Sequence, residues 1–216
     1  MIHHQYDSDE SSGVIPPVWY GEAIRSLAPQ PIIQVFFMLV YALWWVFAWP
    51  VWGSAAFGLA VLFAGYVLVR SVRNIRHARE FENIPTIAGA KIGKSMAILS
   101  GVSYGALWAA AITLMLFGQW RWILPIVTVI IALHFFPLAR IFHRKIDYFL
   151  APIALLFALL GVWMASNPEV SWQFVNAITG IGGSVATGAY SAYMLYGYHV
   201  LRYETLNELE RSTMSA

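Results

Sequence analysis

One histidine of this chain, His134, lies well inside an apolar stretch long enough to cross a bilayer, in the run IIALHFFPLAR. An imidazole at that depth can exchange a proton near neutral pH or hold a polar solute. It also needs a hydrogen-bonding partner, because an unsatisfied polar group in hydrocarbon is costly. Its own helical face offers Val127, Ile130, Ile131 and Leu138, so the partner must come from another helix or from water. Pro137 has no amide and its ring bars the usual bond to the Leu133 carbonyl, which predicts a kink or loosened turn beside the histidine. Gln34, Ser100, Ser103, Tyr104, Tyr190, Ser191 and Tyr193 fall at a similar depth. Polar groups in lipid turn toward the bundle interior, so these residues and His134 are expected to line a cavity open to the cytoplasm. The alternative is a set of interhelical hydrogen bonds that only fix packing.

Other chemistry is thinly supplied. The predicted spans contain no Asp, Glu, Lys or Arg, whereas proton and cation pumps usually keep a carboxylate inside the membrane. There is no P-loop, GxSxG, HExxH or cysteine, and Asp147 and Glu169 fall on opposite sides of the membrane, so no catalytic pair or cofactor is implied. A haem held between His134 and His199 would be chemically possible, but nothing else marks a porphyrin pocket. Arg140, His143, Arg144 and Lys145 follow the fourth span, where they can attract anions or snorkel to the headgroups.

The elements that carry these residues follow from composition. Of 216 residues, 59% are hydrophobic and 11% charged, where a soluble domain carries about 25% charged residues. Six stretches, 31–49, 51–69, 96–117, 123–139, 148–166 and 177–201, are apolar and long enough to cross, which predicts an all-α polytopic bundle. Pro50 must turn the chain between the first two, and Asn167-Pro168 between the last two. Residues 1–17 read as a polar tail without the basic start of a signal peptide, 18–31 as a short surface helix, and 202–216 as a C-terminal tail. Twelve of the thirteen Lys and Arg then share one side with both termini, and only Arg121 lies on the other. Because translocating cations is disfavoured, that side is the cytoplasm, giving an N-in, C-in topology. Eight tryptophans, among them Trp44, Trp52, Trp120 and Trp172, cluster at the outer ends, as amphipathic rings at a headgroup layer should.

Two further patterns bear on packing and partners. Gly93, Gly101 and Gly105 belong to a four-residue repeat of small side chains in the third span, and Gly180, Gly183 and Gly188 to similar rows in the sixth. Small-xxx-small faces let helix backbones approach closely, so both spans are expected at the centre of the bundle. Each is the third span of its half, which would permit an inverted repeat. Arg70, Arg73, Arg76 and Arg79 recur every three residues beyond the second span, predicting a helical basic stripe up to Pro85 that touches anionic lipid or an acidic partner. With the cations at membrane edges, a nucleic-acid partner is not expected.

The run His134-Phe135-Phe136-Pro137-Leu138-Ala139 resembles a motif in small bacterial multi-span membrane proteins of unknown function. The resemblance covers mainly the fourth and fifth spans. It implies a bacterial cytoplasmic membrane and supplies no substrate, cofactor or catalytic residue. The leading expectation is a permease or channel for a small neutral or anionic solute. The alternative is a non-catalytic membrane subunit that binds a partner through the basic loop or the C-terminal ETLNELERS segment. The sequence does not set the oligomeric state.

Overall fold

The computed structural model describes residues 18–214, with side chains for 19–205; the N-terminal tail and the side chains of most of the ETLNELERS segment lie outside the described residues. Seven helices account for nearly all of it: α1 (Val18–Leu27), α2 (Gln30–Ala48), α3 (Pro50–Ala78), α4 (Ile87–Leu116), α5 (Trp120–Phe142), α6 (Asp147–Ala165) and α7 (Trp172–Met214). Five stretches are long and apolar enough to cross a bilayer: Trp19–Ala48, Pro50–Ala78, Ile87–Leu116, Trp120–Phe142 and Asp147–Ala165. α7, less apolar than these five, packs among them and continues unbroken as a helix through the segment expected as a C-terminal tail.

The turns form where the sequence puts them. Pro50 occupies the first position of α3, and Trp49, with φ −134°, reverses the chain. The hairpin is tight because Gly53 sits against the Trp45 carbonyl, where a Cβ would collide. Between α4 and α5 the reversal uses Gly118 at φ +67°, a conformation that costs a side-chain-bearing residue about 1 kcal/mol or more. Arg121, the lone outer cation, donates to the carbonyls of Asn167 (2.6 Å) and Val170 (2.8 Å), so it braces the outer α6–α7 turn.

α7 is the hub. It packs along α2 over most of its apolar length and also against α5 and α6. A Cβ on Gly180 would lie 2.5 Å from the Tyr41 carbonyl oxygen, one on Gly183 2.5 Å from the Tyr41 ring, and one on Gly188 3.0 Å from Met38 Sδ. Ser184 and Ser191 donate to the α2 carbonyls of Met38 and Pro31, both at 3.3 Å. These small groups let the two backbones approach closely, which is a main source of helix association in lipid.

α4 behaves differently from the expectation. It leans on α5 and on no other helix to a comparable extent, and a Cβ on Gly93, Gly101 or Gly105 would meet nothing within 4 Å. The third span is therefore peripheral rather than central, and its small-residue face is open. The physical reason is competition for α2, whose inner face is already taken by α7 and whose flank is taken by α3. The halves consequently lack equivalent third helices, and an inverted repeat has no support in the packing.

α1 fastens the end of the bundle where α3 ends and α4 begins. Tyr20, Ile24 and Ala28 bury one face against Ile75, Ala78 and Phe81 from α3 and its end, and Tyr198 and Leu201 of α7. Arg25 donates to the carbonyls of Ala78 (3.2 Å), Arg79 (3.0 Å) and Phe81 (2.8 Å), placing a cation on the orphan carbonyls at the C-terminus of α3. Glu22 accepts from the Thr86 amide at 3.0 Å, beside the first turn of α4, where Thr86 itself caps the Gly89 amide at 2.9 Å. The predicted surface helix thus binds two helix ends through opposite charges.

Candidate functional site

Because α4 stands away from α2, a cleft runs between α2, α4, α5 and α7. At the end of the bundle where α1 lies, it encloses about 290 Å³ and is bordered by Gln34, Ser100, Tyr104, His134, Arg144 and Tyr190. A smaller recess of about 80 Å³, room for several waters, continues inward past Ser103, Tyr104 and His134 to Tyr41 and Thr187. Six of the eight expected cavity residues, Gln34, Ser100, Ser103, Tyr104, His134 and Tyr190, border one or both spaces. Tyr193 and Ser191 border neither: Tyr193 packs against the buried cluster around Tyr190, and Ser191 is fully buried against α2 through its bond to the Pro31 carbonyl.

His134 finds its partner on another helix: Nδ1 lies 2.8 Å from Ser103 Oγ of α4. This α4–α5 bond accounts for one ring nitrogen and leaves the other without a protein partner among the described residues. Tyr104 sits beside it, ring centroids 6.4 Å apart. α5 stays helical through Pro137, so the missing Pro137 amide loosens the ladder at Leu133 without ending the helix.

The mouth of the cleft at this end is shaped by the end of α5. His143 adopts the left-handed conformation (φ 52°, ψ 37°), the only non-glycine residue among those described to do so, and its amide bonds back to the Ala139 carbonyl. That reversal turns the next residue, Arg144, into the bundle. Its guanidinium donates to Tyr190 Oη at 2.7 Å, approaches Met194 Sδ at 3.6 Å and lies 4.1 Å from the centre of the Phe142 ring. Arg140, His143 and Lys145 border a shallow surface depression with Tyr148, which Arg144 also touches.

Sequence reading missed Asp147. It was placed in the cytoplasmic connection, yet it is fully buried in the first turn of α6, and neither carboxylate oxygen has a hydrogen-bond partner among the described residues. Arg144 is the cation that faces it and Tyr190 the neighbouring hydroxyl. The only sequence signal was an acid three residues after a base at the start of an apolar run, a position that a helix N-terminus favours.

On the outer side a wide recess of about 750 Å³ is bordered by Trp44, Gln119, Arg121, Leu124, Trp172 and Asn176. One buried layer separates it from the inner recess. There the Tyr41 hydroxyl and Thr128 Oγ1 share a hydrogen bond of 3.1 Å, and the Tyr41 ring is pressed against Gly183. Neither residue was singled out from sequence, although Tyr41 follows Gln34 by two turns on the same face of α2.

No family model, curated protein or solved structure matches this chain, so geometry alone bears on its activity. Among the described residues no group of three or more His, Asp or Glu side chains could hold a metal ion. His134 and His199 border separate recesses on different faces of α7, so a haem cannot be held between them.

Proposed function

We propose that this chain is a multi-pass permease of a bacterial cytoplasmic membrane, passing a small neutral or anionic solute between α2, α4, α5 and α7. What supports this reading is that two recesses follow one another along α2 and α5, with the hydrogen-bonded Tyr41–Thr128 pair between them. Such a layout corresponds to an inward-open state with a closed outer gate. His134, Gln34 and Ser100 offer hydrogen bonds to a neutral polar solute, and no Asp or Glu is among the described residues bordering the cleft to favour a cation. The net asymmetry of Lys and Arg and the HFFPLA run support the cytoplasmic-membrane placement.

Proteoliposomes test the reading directly. Stopped-flow light scattering with glycerol, urea, acetate and lactate should show at least one probe equilibrating faster than in protein-free vesicles. His134→Ala and Gln34→Ala should slow that probe without reducing the amount of folded protein. Equilibration of every probe at the protein-free rate would point instead to a membrane subunit that acts by binding a partner.

A further inference from the structure

A second polar groove, of about 320 Å³, lies on the far side of α7 from the His134 cleft, between α7 and α3. On α3 it is bordered by Phe63, Tyr66, Arg70 and Asn74, whose spacing keeps them on one helical face, and on α7 by Leu195, His199 and Arg202 among others. The groove exists because α3 and α7 both lean on α2 and touch each other only lightly. Its cytoplasmic end is fixed by Tyr198, which is 2% exposed. The Tyr198 hydroxyl donates to the Asn74 carbonyl at 2.9 Å and lies 2.9 Å from His77 Nδ1.

Chemistry and depth coincide along this groove. Arg70 and Arg202 are the first cations after the apolar spans 51–69 and 177–201, so both guanidiniums stand at the headgroup level, with His199 and Asn74 beside them. Phe63 and Leu195 lie further into the bilayer, at acyl-chain level, and Tyr66 and Tyr196 flank the passage between the two zones. Arg25, Arg121 and Arg144 spend their donors inside the protein, whereas Arg70 and Arg202 donate to nothing among the described residues. Two unspent arginines over a lipid-facing apolar slot match a phosphate that carries hydrocarbon chains. We infer that the α3–α7 groove is a binding site for one anionic phospholipid of the cytoplasmic leaflet, its phosphate held by Arg70 and Arg202. The basic stripe is therefore divided: Arg70 belongs to a built site, while Arg73, Arg76 and Arg79 lie outside it and contact the surface diffusely.

Native mass spectrometry of the full chain in mild detergent tests this, with phosphatidylglycerol, phosphatidylcholine and glycerol 3-phosphate as probes. Phosphatidylglycerol should be retained in preference to phosphatidylcholine. Arg70→Ala with Arg202→Ala should weaken its binding about 30-fold, each arginine near an anionic headgroup contributing a factor of about five. Arg73→Ala with Arg76→Ala should leave binding unchanged. Ala192→Trp, which fills the groove and keeps every charge, should also remove the lipid, which covers the case in which the double arginine variant does not fold. Equal loss in the Arg73/Arg76 variant, or undiminished binding in Ala192→Trp, would overturn the site. Displacement of the lipid by glycerol 3-phosphate at matched concentration would overturn the lipid as its ligand and leave a site for soluble phosphates.

Discussion

Gly183→Leu is expected to abolish recovery of folded protein from detergent-solubilised membranes, and Gly101→Leu to leave yield and melting temperature unchanged or slightly raised. The two glycines lie in similar small-residue rows, yet their surroundings are opposite. A Cβ on Gly183 would already lie 2.5 Å from the Tyr41 ring, and that ring is held by its bond to Thr128 and by the close Gly180–Tyr41 backbone contact. Overpacking in a core that can adjust costs about 1–3 kcal/mol. Here the obstacle is a pinned ring and a neighbouring backbone, so the cost should be at or above about 3 kcal/mol, enough to separate α2 from α7. Gly101 faces open space, where a leucine meets lipid and improves helix propensity by up to about 1 kcal/mol. Thermal unfolding in detergent distinguishes the two variants, and equal damage at both positions would mean that α4 is packed far more tightly than its contacts with α5 require.

Arg144→Ala should be the most damaging substitution of a charged residue. Asp147 is fully buried with both oxygens unpartnered, and Arg144 is the cation that compensates it. Arg144 is half-buried and no direct ion pair closes between the two, so the cost is expected to fall below the roughly 3–5 kcal/mol of breaking a bonded, buried pair. It arises because the survivor, Asp147, keeps its desolvation cost without the facing cation. Asp147→Asn removes that survivor's charge, so the Arg144→Ala, Asp147→Asn double variant should melt at a higher temperature than Arg144→Ala alone. A wild-type melting temperature for Arg144→Ala, or no recovery in the double variant, would show that the two charges are not coupled.

The legible part of this fold was whatever one-dimensional hydropathy and charge can encode. Each expected apolar span falls within one helix or within a residue of it, but the helices run further than hydropathy does: α3 continues to Ala78, α4 begins at Ile87, and α7 starts at Trp172 and runs on past Leu201. Depth along each run then brought Gln34, Ser100, Ser103, Tyr104, His134 and Tyr190 to one cleft, because six helices of similar length put residues of equal depth in one layer. Depth says nothing about azimuth. Ser191 has the same depth as Tyr190 but points at α2, and Gly101 resembles Gly183 in its run of neighbours yet faces outward. Which helix wins the inner face of α2 is a contest among surfaces, and the rows of small residues in the third and sixth spans qualify equally for it. Asp147 was missed for a related reason: hydropathy places a charged residue just outside its span, whereas the left-handed turn at His143 folds Arg144 and the start of α6 back into the bundle. The Glu22 and Arg25 contacts of α1 likewise join segments more than 50 residues apart, which no local pattern announces.

The proposed pathway requires that water reach His134 from the cytoplasm and stop at the Tyr41–Thr128 layer. The chain contains no cysteine, so single cysteines can be placed at Ser103, Thr128 and Gln119 without removing any native thiol. A charged, membrane-impermeant thiol reagent reacts only with a hydrated thiolate, so its rate reports water at each position. In sealed vesicles of known orientation, Ser103→Cys should label from the cytoplasmic side alone, Gln119→Cys from the outer side alone, and Thr128→Cys slowly from either. Rapid labelling of Ser103→Cys from inside and its silence from outside would establish a hydrated, one-sided cleft. A Ser103→Cys that stays unreactive from both sides, while Gln119→Cys labels normally, would contradict the pathway and leave His134 as a packing residue in a dry bundle.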